Sequence, residues 1–220
     1  MTKLLIFDLD GTLIDSREDI AAACNHALRS CGCPERCIDE YNMLVGRGIY
    51  NLFRSALPEN MRSEENVMKM KDYFVPYYDR HIADRTRPYS GIIDMLEKLS
   101  AAGVKFAVAS NKYQSGTETL VSRFFGKFDF TAIFGQRDGF PIKPDPAIVS
   151  EAMAALPGVT KDDVVYCGDS DVDMQTGINA GVRTIGVTWG FRSREELGSY
   201  GPWLLADDPS QIVEALIDNN

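Results

Sequence analysis

Nowhere in its 220 residues does the chain hold the run of about 18 apolar residues that a bilayer crossing requires, so no membrane role is expected. Basic residues are outnumbered, 23 Lys and Arg against 32 Asp and Glu. The resulting net charge of -9 argues against nucleic acid as a main partner, because the phosphate backbone would be repelled. The basic start and long apolar segment of an export signal are missing as well, since Asp8 and Asp10 interrupt the first apolar run. There are only five cysteines, an odd number that fits reduced thiols rather than a disulfide framework, and a cytoplasmic location is expected. Cys24, Cys31, Cys33 and Cys37 cluster loosely, but their spacing matches no standard zinc pattern and no His follows closely. The two histidines, His26 and His81, read as ordinary surface or packed residues. No internal repeat or low-complexity tract interrupts the chain.

What is present is a soluble globular composition, 45% hydrophobic and 25% charged, in a length that allows one sizeable core and a smaller module. Short apolar runs rich in Val, Ile and Phe recur at Lys3 to Asp8, Val104 to Ser110, Ala132 to Gly135, Asp163 to Gly168 and Thr184 to Val187. Helical stretches begin between or after them near Gly91, Tyr113, Pro146, Asp171 and Pro209. Strands alternating with helices predict an α/β fold, a doubly wound parallel sheet with crossover helices. A last helix is expected over Gln211 to Ile217.

Between the first and second strands the pattern changes. Ile20, Ala23, Cys24, Ala27 and Leu28 recur at helical spacing, and Tyr41 to Leu57 and Glu64 to Tyr78 behave similarly, with Pro58 between them. Some seventy residues are too many for a loop. The expectation is a helical domain over residues 16–85 inserted after the first strand, and a catalytic core from residues 1–15 and 86–220. Short linkers are expected near Asp15 to Arg17 and Arg85 to Ser90.

The most informative residues close the first run: Leu4, Leu5, Ile6, Phe7, Asp8, Leu9, Asp10, Gly11, Thr12. A buried strand ending in two close carboxylates calls for a cation to offset their repulsion. Asp8, Ser110 and Asp169 all fall at the carboxyl ends of expected strands, where an open parallel sheet binds ligands, and Lys143 falls in a loop after the third. Carboxylates, a hydroxyl and an ammonium gathered there suit phosphoryl transfer: a carboxylate attacks phosphorus, magnesium bridges acid groups and phosphate, and Ser110 and Lys143 hold the phosphate oxygens. Asp173, four residues after Asp169, reaches the metal or its waters.

Asp8 and Asp10 in an Asp-x-Asp-Gly-Thr arrangement, Ser110 with Asn111, Lys143 before Pro144, and Gly168 with Asp169 and Asp173 resemble the four signature motifs of the haloacid dehalogenase superfamily. The helical insertion resembles the cap of its first subfamily, above a Rossmann-like core. The resemblance implies that Asp8 is the nucleophile and that Asp10 is the general acid and base, its backbone carbonyl binding Mg2+. It further implies metal binding by Asp8, Asp169 and Asp173, phosphate binding by Ser110, Asn111 and Lys143, and help from the backbone amides after Asp8 and Ser110.

Asp10 argues against the metal-free dehalogenases of the superfamily, which lack this second acid. Gly168 and Asp173 favour a phosphatase over a beta-phosphoglucomutase-like enzyme. Among phosphatases the chain is similar to the phosphoglycolate phosphatases. Gly46, Arg47 and Gly48 resemble a substrate-specificity loop in which Arg47 pairs with a substrate carboxylate, the other reading being a solvated surface arginine. The expected partner is a small phosphorylated metabolite, and the expected state a monomer or homodimer. Alternatives are a 5'-nucleotidase, a pyrophosphatase, a phosphosugar phosphatase, or an inactive metal- or ligand-binding module of the same fold. Trp189, Gly190 and Phe191 read as an exposed or packed loop after the last strand.

Overall fold

The computed structural model describes residues 2–218; Met1, Asn219 and Asn220, which the expected domain bounds include, lie outside them. The chain opens with β1 (Leu4–Phe7) and β2 (Ile14–Asp15), followed by four helices: α1 (Arg17–Ser30), α2 (Tyr41–Leu44), α3 (Ile49–Ala56) and α4 (Glu64–His81). It returns through β3 (Arg87–Pro88) and α5 (Ile92–Ala101) to β4 (Lys105–Tyr113), α6 (Gln114–Phe125) and β5 (Phe130–Gln136). Next come α7 (Ala147–Ala154), β6 (Val164–Gly168), α8 (Asp171–Ala180) and β7 (Arg183–Val187). The chain ends with α9 (Arg194–Gly198), β8 (Leu204–Ala206) and α10 (Pro209–Val213).

Six strands form one parallel sheet in the order β5-β4-β1-β6-β7-β8. The chain winds outward from β1 through β4 to β5, then lays β6, β7 and β8 on the other side, so strand order reverses beside β1. All four β1 residues are fully buried. Leu5 and Phe7 join one apolar layer and Leu4 and Ile6 the other, as strand alternation requires. A strand covered on both faces needs an unbroken apolar run, which is why β1 reads as one. Among the described residues no helix is long and apolar enough to cross a membrane.

The segment between β2 and β3 contributes α1 to α4. Its apolar residues, among them Ala23, Phe53 and Phe74, join Leu5 and Phe7 in one continuous cluster. The stretches read from sequence as linkers are instead partly paired: β2 and β3 run antiparallel, Ile14 opposite Pro88 and Asp15 opposite Arg87.

The expected helix over Tyr41 to Leu57 is split into α2 and α3, because Gly46 and Gly48 take positive φ values of 105° and 83° that end one helix and start another. The short α9 and β8 had no expectation from sequence; β8 has only three residues, too few for a period-two pattern to register. The last helix starts at Pro209, where Asp208 caps it by accepting from the Ser210 amide, and it passes into a π-turn at Glu214–Asp218.

Asp19, in the first turn of α1, is 3% exposed and ties the outgoing and returning chains together. Its carboxylate accepts from the Arg85 amide at 3.0 and 3.1 Å, the Thr86 amide at 2.8 Å and the Thr86 hydroxyl at 2.7 Å. Removing it strands buried donors, which cost about 1–3 kcal/mol each when left unpaired. Asp19→Ala is therefore expected to lower unfolding stability by about 2–4 kcal/mol. A urea midpoint that stays at the wild-type value would show that this junction is not held by Asp19.

Candidate active site

Each expected motif lies at or just beyond the carboxyl end of its strand, next to the reversal in strand order. Asp8 follows β1, Asp169 follows β6, and Lys143 lies in the loop after β5. Ser110, Asn111 and Lys112 fall in the last turn of β4, where its register with β5 shifts between Ala109 and Tyr113. Such an irregularity re-aims side chains away from the ladder. Asp8, Asp10, Ser110, Asn111, Lys143, Asp169 and Asp173 are all buried.

Lys143 holds the centre. Its Nζ donates to Asp8 Oδ1 at 2.8 Å, Asp173 Oδ1 at 2.8 Å and the Tyr166 hydroxyl at 2.9 Å, so all three ammonium hydrogens are engaged. Tyr166 in turn donates to the Ala109 carbonyl at 3.1 Å, which fixes its ring between β4 and β6. Burial by itself would lower the Lys143 pKa, but the Asp173 and Asp8 carboxylates more than offset it and hold the ammonium well above its ordinary value.

Asp173 is committed on both oxygens. Besides Lys143, it accepts from the Ser170 amide at 3.1 Å and the Ser170 hydroxyl at 2.5 Å, the capping arrangement that starts α8. Asp169 accepts from the Thr12 hydroxyl at 3.0 Å and the Phe191 amide at 2.8 Å. Asp10 points elsewhere: Lys112 Nζ reaches both of its oxygens, at 2.9 and 3.1 Å, and the Ser16 hydroxyl donates to it at 2.5 Å.

Three readings from sequence change here. Asn111, expected to bind phosphate, spends its amide on backbone: Nδ2 donates to the Gly46 and Lys143 carbonyls, and Oδ1 accepts from the Lys143 amide. These bonds fasten the Lys143 loop and the Gly46 loop to β4. Arg47 turns onto Asp171, Nη2 to Oδ2 2.5 Å, with half its side chain exposed, and it is not among the residues lining the cavity above Asp8. Trp189 to Phe191 are no passive loop: the Trp189 indole donates to the Thr12 carbonyl, and a Cβ on Gly190 would sit 2.3 Å from that of Asp169. That close packing and the Phe191 amide orient the Asp169 carboxylate.

The sequence assigns no role to Lys112, although it stands beside Ser110 and Asn111, and none to Tyr166, Ser16 or Arg192. Tyr166 had a signal, a hydroxyl in the middle of an otherwise apolar buried strand, which must find a partner. Arg192 had none; it is buried in the loop after β7 and donates to the Asn42 and Val45 carbonyls, clasping the helical segment onto the core.

Above Asp8 and Asp10, between the core and α1, α3 and α4, lies a cavity of about 50 Å³, room for a few water-sized groups. Below it, oxygens of Asp8, Asp169 and Asp173 lie within 4.8 Å of one another. Three buried carboxylates face one ammonium, leaving negative charge uncompensated. An all-oxygen donor set with excess negative charge fits a hard divalent cation such as magnesium.

The same crowding shifts the acids. Burial, helped by the Asp173 and Asp10 charges and opposed by Lys143, pushes Asp8 up to about 7. Burial, with Asp173 and Asp8, raises Asp169 well above the carboxylate range against the hydrogen bonds from Phe191 and Thr12. Native Asp8 therefore keeps a proton that the unfolded chain, with an ordinary value of 3.8, has lost. Between about pH 4 and 7 the native state binds more protons, so stability without a divalent cation falls as pH rises. Asp8→Asn removes that charge and is expected to melt at least about 3 °C higher than wild type in chelator at pH 8. Magnesium should raise the melting temperature of the wild type and not of the variant; an unchanged or lower melting temperature for Asp8→Asn in chelator would show that the cluster is not under like-charge strain.

The haloacid dehalogenase-like hydrolase profile matches residues 5–187. A phosphoglycolate phosphatase of Psychrobacter arcticus is 33% identical over 98% of this chain and 96% of its own length. One of Aquifex aeolicus is 32% identical over 99% and 98%. The crystal structure of a candidate phosphoglycolate phosphatase from Lactobacillus delbrueckii subsp. bulgaricus superposes with a TM-score of 0.90 at 32% identity, covering 98% of this chain and 99% of that one. With the fold, the motif order and the full-length similarity in agreement, this chain belongs to the haloacid dehalogenase-like hydrolases.

Proposed function

We propose that the chain is a magnesium-dependent phosphatase of small phosphomonoesters, phosphoglycolate foremost, working through a phosphorylated Asp8. The observation that carries this reading is the convergence of Asp8 with Asp10, Lys143 and Asp169, from three separate segments, on the carboxyl-end side of one sheet. The full-length similarity to phosphoglycolate phosphatases supports the substrate class. Five free cysteines support a cytoplasmic location.

In the first step an Asp8 oxygen bonds to phosphorus while the bond from phosphorus to the ester oxygen breaks, and Asp10 passes a proton to the departing oxygen. In the second, Asp10 takes a proton from water, the water oxygen bonds to phosphorus, and the Asp8–phosphorus bond breaks to release inorganic phosphate. Lys143 holds Asp8 in position and offers its charge to the phosphoryl oxygens, with the Ser110 hydroxyl beside it. Lys112 and Ser16 orient Asp10. Asp8 and Asp169, with the Asp10 carbonyl, would hold magnesium, which neutralises phosphoryl charge. The hydrogen bonds that Asp173 accepts from Lys143 and Ser170 support a role in anchoring Lys143 and the Asp169 turn.

Wild-type protein with magnesium is expected to release phosphate from a panel of small esters, phosphoglycolate fastest, and to stop on chelation. Nucleotides, pyrophosphate and phosphosugars in the same panel test the alternatives, and release from none of them with metal bound normally would leave an inactive binding module. Asp8→Asn should lose turnover by at least about 10³-fold; full activity would rule out the covalent route. Because Arg47 faces Asp171 rather than the cavity, Arg47→Ala should change kcat/KM for carboxylate-bearing and neutral esters by a similar factor. A loss confined to carboxylate esters would restore Arg47 as a specificity residue.

A further inference from the structure

The cavity over Asp8 has two unlike walls. The core side is polar, with Asp10, Ser110 and Lys112 among its residues. The side from the helical segment is apolar, with Leu44, Val45, Ile49, Leu52 and Phe74, and has one exception, Tyr78. Tyr78 is 1% exposed, and its hydroxyl has no hydrogen-bond partner among the described residues. Its ring stacks on Phe74 with centroids 5.2 Å apart. Lys112 Nζ, the ammonium that bonds Asp10, lies 4.8 Å from the Tyr78 centroid.

A buried hydroxyl without a partner suffers its full desolvation, and a phenylalanine would pack here equally well without it. The hydroxyl therefore has a use that the protein's own groups do not supply. We propose that Tyr78 reads the leaving group of the substrate: its hydroxyl donates to the carboxylate of a short phosphorylated hydroxy acid whose phosphoryl group lies against Asp8. This rests on the phosphatase reading and adds to it the residue that selects the ester.

Two features point to a carboxylate rather than a sugar or a nucleoside. Lys112 is the one cationic side chain in the cavity lining and stands beside the Tyr78 ring; two of its ammonium hydrogens reach Asp10, which leaves the third for an anionic end group. Apart from Tyr78, the wall built by the helical segment presents no polar side chain, so the several hydroxyls of a sugar would be buried unpaired. The small cavity likewise suits a leaving group of two or three carbons.

The test compares 2-phosphoglycolate with ethyl phosphate, which has the same two-carbon chain and no carboxylate, in magnesium. Tyr78→Phe should lower the ratio of kcat/KM values, phosphoglycolate over ethyl phosphate, at least fivefold, mostly through a higher KM for phosphoglycolate. Its melting temperature in chelator should equal or exceed that of wild type, since the lost oxygen bonds nothing in the protein. A ratio lowered less than fivefold overturns the role of Tyr78 and leaves the phosphatase reading standing. Wild-type protein provides a second measurement that needs no variant: it should prefer phosphoglycolate over ethyl phosphate at least tenfold, and a smaller preference overturns the proposal. Hydrolysis of neither ester would be a failure of the phosphatase reading itself.

Discussion

An ammonium buried among carboxylates organises this protein. Lys143 donates to Asp8, Asp173 and Tyr166, residues just after β1, in α8 and in β6, and its own loop follows β5. Without it, Asp8 and Asp173 would be buried acids with no cation beside them, a costlier arrangement than the pair itself. Because the ammonium has three hydrogens and all are used, its position is set by three elements at once. Asn111 fixes the backbone of the same residue from β4. The site is therefore a product of the sheet, and the sheet order that brings β1, β4 and β6 side by side is its precondition.

The cluster remains unbalanced. Burial raises Asp8 and Asp169, and the hydrogen bonds around them orient carboxylates that repel one another. A divalent cation bound among them would relieve that repulsion. Asp10, paired with Lys112, adds the smallest share to this repulsion. Two carboxylates two residues apart thus occupy different electrostatic surroundings, the condition for giving them different tasks.

The helical segment is bound to the core by backbone recognition as much as by apolar contact. Arg192 and Asn111 bond to carbonyls of the Asn42 to Gly46 stretch, Asp171 takes Arg47, and Asp19 gathers the amides of the returning chain. The ties from Arg192, Asn111 and Asp171 converge on the loop between α2 and α3. The glycines that interrupt helical periodicity there let the loop turn over Asp8, so the break in the expected helix and the roof of the cavity have one cause.

The α/β pattern, the unbroken apolar run of β1, the helical character of the segment after it and the acids at the strand ends were legible because each depends on local periodicity or on a short motif. Arg192, Lys112 and the bonding of Asn111 were not, since their partners lie 102 to 150 residues away or are carbonyls that no side-chain pattern announces. Arg47 shows the limit most directly: its neighbours in sequence suggested a substrate partner, and the fold supplied Asp171. By itself the sequence determined which groups the site contains, because their chemistry and their strand-end positions are written in consecutive residues. Only the tertiary structure decided which acid each lysine serves, and which cavity wall keeps an unpaired hydroxyl, because those depend on distances between segments that meet only when the sheet closes and the helical segment docks over it.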